Sequence, residues 1–364
     1  MHRSLQIAFF GSSLVSAYWN GAATYYRGLI RALHERGHRV TFFEPGAFDR
    51  QSHRDMEDPA WARVVIYPVT EVDRALEAAQ GADVIVKASG VGVNDELLER
   101  EVLALRRPHN LVVFWDVDAP ATLERVSGAL ADPFRQLIPR YDAVLTYGGG
   151  KPVIERYRSF GARACIPVYN GLDPDTHHPV KRDARFAGLL GFLGNRLPDR
   201  ESRVREFFFE PARTHSREPF LLAGNGWARD AGAPQNVRLL GHLYSRDHNA
   251  FNCTPTAVIN INRDSMARTG FSPPTRVFEA AGAGACLIVD AWEGIEQFFE
   301  PGAEVLVAHD GTEVADLLSG LDAPTARRVG QAALRRALAH HTYARRALEV
   351  EAVLLGRMPA EAVA

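Results

Sequence analysis

The sequence has few cysteines, almost no net charge and no long apolar run. Its three cysteines, Cys165, Cys253 and Cys286, lie in or beside apolar stretches without C-x-x-C spacing. We therefore expect buried free thiols, as in a reducing compartment. No apolar run approaches the roughly 20 residues that span a bilayer, and Met1–Gly11 is typical of a first strand rather than of a secretory signal. These features predict a cytoplasmic protein with no integral membrane segment.

Several functional signatures are also missing. The formal net charge is -2, so charge gives no indication of a nucleic-acid partner. The turn Gly11–Ser13 lacks the G-x-G-x-x-G of a dinucleotide oxidoreductase, and Gly148–Lys151 lacks the G-x-x-x-x-G-K-[ST] spacing of a nucleoside triphosphatase. The pairs His177–His178 and His340–His341 have no partners at metal-site spacing, so we expect them to face solvent.

Short, nearly all-apolar runs alternate with amphipathic helical stretches along the chain. The strand-like runs of the first half are Leu5–Gly11, His38–Glu44, Val64–Tyr67, Val84–Val86, Leu111–Trp115 and Ala143–Tyr147. Those of the second half are Phe186–Gly194, Phe220–Gly224, Val237–Gly241, Ala257–Ile261 and Ala285–Asp290. Apolar strands that alternate with helices indicate parallel sheets covered on both faces.

An irregular segment rich in proline, aspartate and histidine, Pro167–Arg185, interrupts this alternation. We therefore predict an α/β protein with two Rossmann-like, doubly wound domains at residues 1–170 and 186–340, joined by a linker at 171–185. The C-terminal helix, 341–364, is expected to pack back toward the first domain. Two such sheets would face each other across a cleft, and ligands bind doubly wound sheets at the carboxyl ends of the strands.

The strongest local signal is a predicted helix from Pro273 to about Ala283. Ser272 is a suitable N-cap residue, Pro273 suits the first helical position, and Thr275 falls in the first turn. The amino end of such a helix offers free amides and a positive dipole end to an anion. This helix is therefore a candidate phosphate site.

Charged residues in and before the same helix extend this hypothesis. Arg268 and Arg276 could add charge-assisted hydrogen bonds to a phosphate. Glu279 lies in mid-helix among apolar neighbours, where burying an acid is costly unless it finds partners. A polyhydroxylated ligand such as a ribose would supply them, and a salt bridge to Arg276 is the alternative.

The run RVFEAAGAGACLI, Arg276–Ile288, resembles the donor-binding helix and following strand of GT-B glycosyltransferases, and Glu293–Glu304 continues the match. Further matching segments are Gly191–Arg196 with Asp199–Arg200, Tyr141–Gly150, and the interdomain segment Leu172–Pro179. The sequence is most similar to the spore-protein CgeB-like group. The resemblance covers nearly the whole chain in order and implies the two-domain GT-B fold and a nucleoside-diphosphate-sugar donor.

In the larger retaining GT-B enzymes this helix carries an E-x7-E signature, whose second Glu holds the donor ribose and whose first contacts the transferred sugar. Glu279 matches the second position, but Phe271 occupies the first. That departure leaves both retention and inversion of configuration open. The donor-binding residues that the resemblance assigns to this segment are Arg268, Gly270, Phe271, Ser272, Thr275, Arg276 and Glu279.

A second donor-side candidate is the turn after the strand that ends at Gly194. Asn195, Arg196 and Arg200 lie where the family places a basic residue against the diphosphate. A fixed cation there would stabilise the charge that develops on the leaving phosphate. The alternative is a solvated loop in which Asp199 pairs with one of the arginines.

One further contact to the nucleotide is implied by the resemblance. The turn Gly241–Leu243 matches a segment that lies along the base in relatives, mainly through its backbone. His242 is the candidate side chain in this turn.

The resemblance assigns the acceptor to the first domain. Tyr18, Trp19 and Asn20 follow the first strand, and aromatic rings beside an amide suit stacking on a sugar or another ring. Packing of Trp19 over a neighbouring helix is an equally good interpretation.

Asp116 and Asp118 follow a buried strand, where many GT-B enzymes keep an acceptor-facing acid or histidine. If the reaction inverts configuration, either acid is a candidate general base. If it retains configuration, the departing phosphate takes the proton and the two acids orient the acceptor. Capping of the next helix by Asp118 is a third possibility. We discount metal binding by this D-x-D triplet, because arginines and a helix dipole can balance the diphosphate without Mg²⁺.

Together these patterns predict a metal-independent glycosyltransferase without a cofactor. It would move a hexose-like unit from a nucleoside-diphosphate sugar to a hydroxyl or amine, with retention as the family's usual outcome. A UDP-sugar 2-epimerase shares this architecture, but the donor helix has no second acidic pair. A non-catalytic nucleotide-sugar-binding protein is the other alternative, because Phe271 replaces an acid. The base, sugar, acceptor and oligomeric state stay open.

Overall fold

The computed structural model describes residues 3–129, 131–228 and 232–356. Contacts between Cα atoms divide the chain into two compact units. The first unit comprises Met1–Asn170 together with Tyr343–Ala364, and the second comprises Gly171–Thr342. The segment 171–185, expected as a linker, thus belongs to the second unit.

The first unit contains a parallel sheet with seven strands in the described part of the chain. These are β1 (Gln6–Phe10), β2 (Arg39–Pro45), β3 (Arg63–Tyr67), β4 (Val84–Ala88), β5 (Leu111–Asp116), β6 (Ala143–Thr146) and β7 (Cys165–Pro167). Their order is β3-β2-β1-β4-β5-β6-β7. The order of the strands reverses between β1 and β4, which is where doubly wound sheets bind ligands.

The second unit contains a parallel sheet with six strands among the described residues. These are β8 (Leu190–Leu193), β9 (Phe220–Ala223), β10 (Val237–Gly241), β11 (Ala257–Asn260), β12 (Leu287–Asp290) and β13 (Leu306–Ala308). Their order is β10-β9-β8-β11-β12-β13, so the corresponding reversal lies between β8 and β11. The two doubly wound sheets confirm the predicted fold class.

Helices connect the strands in both units. The α-helices of the described residues are α1 (Ala23–Glu35), α2 (Val72–Ala79), α3 (Asp95–Ala104), α4 (Ala119–Gly128), α5 (Pro133–Leu137), α6 (Gly150–Ser159), α7 (Pro198–Val204), α8 (Glu210–Thr214), α9 (Ser245–Cys253), α10 (Asp264–Thr269), α11 (Thr275–Gly282), α12 (Gly311–Gly320), α13 (Ala323–His340) and α14 (Tyr343–Leu354). Shorter turns are the 3₁₀ segments Val69–Glu71, Ile138–Arg140, Ala184–Phe186 and Ile295–Gln297 and the π-helical turn Arg205–Phe209. None of these helices has an apolar stretch that could cross a bilayer.

Both faces of the first sheet are covered, because successive side chains of a strand point to opposite faces. Phe9 packs into a core with Phe42 and Trp115, whereas Phe10 belongs to the core on the other face. The last helix, α14, packs on α1 within the first of these cores. A Cβ on Gly28 of α1 would overlap the ring of Tyr343, so the two helices depend on a glycine at this crossing.

Candidate functional site

The loops that follow β8, β11 and β12 lie side by side at the carboxyl edge of the second sheet, because these strands are neighbours. Ion pairs tie the loops together. Arg263, after β11, donates from Nε to Oδ2 of Asp199 in α7 at 2.7 Å. Arg203 of α7 donates from Nη2 to Oδ2 of Asp290, the last residue of β12, also at 2.7 Å. The reversal point of the sheet is therefore rich in fixed arginines.

Arg200 is the arginine of this edge that best suits an anion. Its Nη1 donates a long 3.4 Å bond to the carbonyl of Asn195, and its Nε has no hydrogen-bond partner among the described residues. Burial, followed by the positive charge of Arg263, lowers the pKa of Arg200 to about 10. A phosphate would supply both the missing acceptor and the missing negative charge.

The other two candidates of this turn hold the turn itself. Arg196 forms a two-point pair with Glu201, at 2.8 and 3.0 Å. Oδ1 of Asn195 accepts the N–H of Asn225 at 2.9 Å. The alternative, in which Asp199 pairs with an arginine of this turn, is not found among the described contacts, where Asp199 binds Arg263.

The helix of the donor motif begins later than predicted. α11 starts at Thr275 with Pro274 as its N-cap residue, which adopts an extended ψ of 158°. Two prolines in succession explain the shift, because the residue before a proline is driven out of the helical region. Pro273 therefore cannot open the helix. Ser272 does not cap it either: its hydroxyl donates to the carbonyl of Gly270 at 2.9 Å.

Arg268 makes a local surface pair. It belongs to α10, its side chain is largely exposed, and it pairs with Asp264 one turn earlier at 3.1 Å. His242 is also exposed and packs edge-on against the exposed ring of Tyr244, with 4.7 Å between ring centroids. The structure brings neither side chain to Arg200 or Glu279 through a described contact.

The residues before α11 form a strained turn. Phe271 adopts a left-handed φ of 48°, and Gly270 before it a φ of 71°. A left-handed conformation costs a non-glycine residue about 1–2 kcal/mol. Residues held in such conformations cluster at functional sites, where the surrounding structure keeps them in place. The position at which relatives carry the first Glu of E-x7-E is thus conformationally special in this chain.

Glu279 is buried, with 3% of its surface exposed, and is part of a side-chain network. Its Oε2 accepts a 3.0 Å hydrogen bond from Nη1 of Arg276, one turn earlier in α11. The same Nη1 lies 3.2 Å from Nδ1 of His248 in α9. Nε2 of His177 lies 4.0 Å from Oε2. The predicted salt bridge between Arg276 and Glu279 is therefore present.

Two of the histidine predictions were wrong. His177 is buried beside Glu279, because the segment that contains it packs on α11, where its backbone carbonyl lies against Gly282. His341 is also buried, with Nε2 2.9 Å from the carbonyl of Phe298. His178 and His340 are exposed, as expected.

Within the described residues, His177, His248 and Glu279 bring one ligand atom each to within 4.8 Å of one another and could hold a metal ion. Burial lowers the pKa of His177, and burial together with the charge of Arg276 lowers the pKa of His248 to about 3. Both imidazoles are therefore neutral at pH 7, as metal ligands must be. However, the guanidinium of Arg276 already bonds two of the three members of this group.

At the carboxyl edge of the first sheet, the loop after β1 presents aromatic rings. Trp19 is half exposed, at 49%, and has a left-handed φ of 48°. The ring of Tyr18 stacks on His53 with centroids 3.9 Å apart and meets Trp19 edge-on. About half of the Trp19 surface is thus available to a ligand.

Asn20, predicted to contact the acceptor, is buried instead. Its Nδ2 donates to the carbonyls of Ser13 and Ser16, and its Oδ1 accepts from Ser12. The amide of Asn20 thus provides hydrogen-bond partners for the backbone carbonyls of this loop, which have none from a sheet or helix. Asn20 therefore positions Tyr18 and Trp19 and does not face solvent.

Asp116, the last residue of β5, and Asp118, just after the strand, differ in their surroundings. Asp116 is fully buried, and burial raises its pKa. Its oxygens accept hydrogen bonds from the hydroxyls of Ser89, Thr122 and Tyr157 and from the N–H of Asp118. Asp116 therefore organises the sheet edge and has no access to a substrate, which corrects its candidacy as a base. Asp118 is half-buried and makes no side-chain cap to α4 among the described residues.

Sequence reasoning missed Arg203, His248, Arg263 and Asp290. Asp290 could have been found, because an acid that ends an apolar strand run is the pattern that marked Asp116. Arg263 follows a predicted strand by two residues and carries a similar signal. His248 and Arg203 lie in helices with no local motif. The packing of α9 on α11 reveals His248, and the ion pair with Asp290 of β12 reveals Arg203.

Residues 200–352 match a family described as glycosyl transferase-like. No curated protein matches the sequence of the chain. The matched segment contains α11 and the arginines at the edge of the second sheet, so the family match includes the candidate site.

Solved structures resemble the chain over nearly its whole length. The sucrose-phosphate synthase of Thermosynechococcus elongatus has a TM-score of 0.70 at 14% identity, covering 98% of this chain and 99% of its own. HepE of Anabaena, in complex with UDP and glucose, has a TM-score of 0.66 at 15% identity, with 97% and 100% covered. An alpha-glucosyltransferase in complex with UDP and DNA has a TM-score of 0.69 at 13% identity, with 97% and 100% covered. The chain thus has the GT-B fold.

Proposed function

We propose that this glycosyltransferase moves a hexose-like unit from a nucleoside-diphosphate sugar to an acceptor hydroxyl or amine, with retention of configuration and without a metal ion. The observation that carries the proposal is the buried Glu279, held by Arg276 in the helix that follows the arginine-rich edge of the second sheet. The motif RVFEAAGAGACLI supports placing the chain in the CgeB-like subgroup. Free, non-disulfide cysteines support a cytoplasmic location.

The donor is proposed to be a UDP-sugar. HepE and the alpha-glucosyltransferase, both of the same fold, are complexes with UDP. In this chain Glu279 would accept hydrogen bonds from the ribose hydroxyls, because a carboxylate offers about four lone-pair positions and Arg276 uses part of them. Arg200 would bind the diphosphate.

The chemical step breaks the bond between the sugar C1 and the phosphate oxygen and forms one between C1 and the acceptor oxygen or nitrogen. Negative charge grows on the leaving diphosphate, and Arg200 is placed to stabilise it as the bond breaks. In the retaining reaction the departing phosphate takes the acceptor proton. Fixed guanidinium groups provide the positive charge that a metal would otherwise supply, which is why we propose metal independence.

The acceptor is proposed to bind the first unit. Trp19 offers an exposed ring and Tyr18 extends it through stacking on His53. Asp118 is the acid available to orient the nucleophile, since Asp116 is buried. An acceptor with a flat apolar face, such as a sugar ring, suits these groups.

The test is an assay of UDP release from UDP-glucose, UDP-galactose and UDP-GlcNAc, with and without EDTA. We expect slow hydrolysis of at least one donor, unchanged by EDTA and lost in Glu279→Ala. Conversion of UDP-GlcNAc into its 2-epimer would instead identify an epimerase. Binding of UDP without release from any of these donors or from GDP-, ADP- and dTDP-sugars would identify a non-catalytic binding protein.

A further inference from the structure

The helices α9 and α11 are joined by a line of three side chains, His248, Arg276 and Glu279. Nη1 of Arg276 lies 3.2 Å from Nδ1 of His248 and 3.0 Å from Oε2 of Glu279. His248 and Glu279 are both buried, whereas the side chain of Arg276 is 36% exposed. One guanidinium nitrogen therefore bridges two buried acceptors on different helices.

The tautomer of His248 follows from its second contact. Its Nε2 lies 3.2 Å from the carbonyl oxygen of Leu243, which can only accept a hydrogen bond. The proton of the neutral ring is thus on Nε2, and the lone pair of Nδ1 is available to Arg276. Burial keeps the ring neutral at pH 7, because it lowers the pKa of His248 to about 3. His248 is accordingly an acceptor of fixed direction.

A second anchor matters for a side chain of this kind. Arginine loses more rotamer entropy when it is fixed than a partly exposed i, i+3 pair alone returns. Without a fixed guanidinium, the buried carboxylate of Glu279 would lack its positive partner. Removing one member of a buried pair is strongly destabilising for the charge that remains.

We propose that His248 is a positioning residue for the donor: it holds Arg276 against Glu279, so that the carboxylate is in place before the nucleotide arrives. The inference rests on the proposed function, in which Glu279 binds the ribose. Because His248 acts before the chemical step, it sets donor affinity and leaves the rate of sugar transfer unchanged.

A metal ion is the competing occupant of this place. His177, His248 and Glu279 offer two neutral imidazoles and a carboxylate, a set that suits Zn²⁺. The bridging nitrogen of Arg276 favours the guanidinium, since it bonds the lone pair of His248 and an oxygen of Glu279 that the metal would need. A rise in melting temperature with Zn²⁺ would indicate a metal here instead of the guanidinium.

The experiment compares His248→Asn with His248→Leu. The two new side chains have nearly the same size and shape, but only Asn places an acceptor close to the position of Nδ1. Binding of UDP, GDP, ADP, CDP and dTDP is measured by calorimetry for the wild type, and the tightest is used for both variants. We expect a dissociation constant about tenfold higher in His248→Leu and within about threefold of wild type in His248→Asn. Donor hydrolysis should show a raised KM and an unchanged kcat in His248→Leu.

Equal binding by both variants and the wild type would overturn the positioning role, as would an equal loss in both. A gain in melting temperature with Zn²⁺ in the wild type, abolished in both variants, would overturn it in favour of a metal site. Arg276→Lys provides a second variant if His248→Leu does not fold: it keeps the charge but loses the planar guanidinium, and we expect a similar tenfold loss.

The outcome also separates this inference from the proposed function. If Glu279→Ala abolishes nucleotide binding while His248→Leu does not, the positioning role alone is wrong. If Glu279→Ala binds as well as the wild type, or if none of the five diphosphates binds the wild type, the donor site itself is wrong and the inference falls with it.

Discussion

The backbone N–H of Phe271 donates to the carbonyl of Glu293 at 2.6 Å. This bond holds Phe271 in a left-handed conformation directly before the donor helix. The ring of Phe271 rests on Gly294, where a Cβ would overlap ring carbon Cδ1. Gly294, four positions after the end of β12, thus leaves room for the ring of Phe271 in the strained turn.

We predict that Gly294→Ala destabilises the second unit and weakens donor binding. Gly294 has a φ of 91°, which costs a non-glycine residue about 1–2 kcal/mol, and the added methyl group would also displace the ring of Phe271. Overpacking adds about 1–3 kcal/mol. Urea unfolding should show a loss of about 2–5 kcal/mol.

Gly302→Ala is the matched control for this substitution. Gly302 has a comparable φ of 81°, but a Cβ there would meet no atom within 4 Å. It should therefore lose only about 1–2 kcal/mol and keep the affinity for nucleotide. Equal losses in the two variants would show that the ring of Phe271 does not depend on Gly294.

We predict that Arg200→Met weakens binding of a nucleoside diphosphate far more than Arg196→Met. Nε of Arg200 has no hydrogen-bond partner in the described part of the chain, whereas Arg196 donates from Nε and Nη2 to Glu201. Charge-assisted hydrogen bonds are worth about 1.5–3 kcal/mol, so the affinity of Arg200→Met should fall about 10- to 150-fold. Arg196→Met should stay within about threefold, since it removes a surface pair. Calorimetry with UDP measures both, and the reverse order would move the diphosphate away from Arg200.

The sequence predicted both sheets because their central strands are nearly all apolar and end in recognisable turns. Ile85 and Val86 of β4, for example, are buried on opposite faces of the sheet, so both positions require an apolar residue. The three-residue edge strands β7 and β13 escaped, since so short a run carries no periodic signal. The C-terminal helix expected at 341–364 is present as α14, Tyr343–Leu354.

The candidate site was only partly predictable. Glu279, Arg276 and Arg200 lie in local motifs, so the sequence pointed to them. An asparagine can bind a ligand or stabilise a loop, and the sequence does not distinguish the two. The three loop contacts of Asn20 are visible only in the structure. His248 lies 28 residues before Arg276, and no local pattern links two residues whose contact arises from helix packing.

We predict opposite consequences for substitutions of Asp116, the last residue of β5, and of Asp118. In Asp118→Asn the fold should be kept, while the KM for the acceptor rises, if Asp118 orients the nucleophile as in the proposed retaining reaction. In Asp116→Asn an amide would face the hydroxyls of Ser89 and Tyr157, which now donate to a carboxylate. Leaving buried donors unpaired costs about 1–3 kcal/mol, so this variant should unfold at lower urea.

The measurements for this pair are steady-state kinetics with a sugar acceptor and urea unfolding. A fall in kcat of about 10²-fold or more in Asp118→Asn, with the KM unchanged, would be the mark of a general base. That outcome would favour the inverting reaction. An unchanged stability of Asp116→Asn would contradict the structural role of the buried carboxylate.

We predict that the neutral state of His248 makes the stability of the protein depend on pH below about 6.5. Burial and the charge of Arg276 lower its pKa to about 3 in the folded protein, whereas an unfolded histidine has a pKa of about 6.5. Below pH 6.5 the unfolded chain therefore binds a proton that the folded chain does not. Stability must fall as the pH drops from 6.5 toward 3, by about 1.4 kcal/mol per pH unit for this one group.

The variant His248→Asn keeps a hydrogen-bond acceptor but cannot titrate. His177 and Glu279, which face His248, are unchanged in this variant, so the difference from the wild type isolates the contribution of His248. We expect the difference in unfolding free energy, wild type minus variant, to shrink by about 1.4 kcal/mol between pH 6 and pH 5. Urea titrations at pH 7, 6 and 5 measure it, with His178→Asn as the exposed control. Parallel curves for the wild type and His248→Asn would mean that His248 is charged or solvated in the folded protein, and its lone pair would then not be available to Arg276.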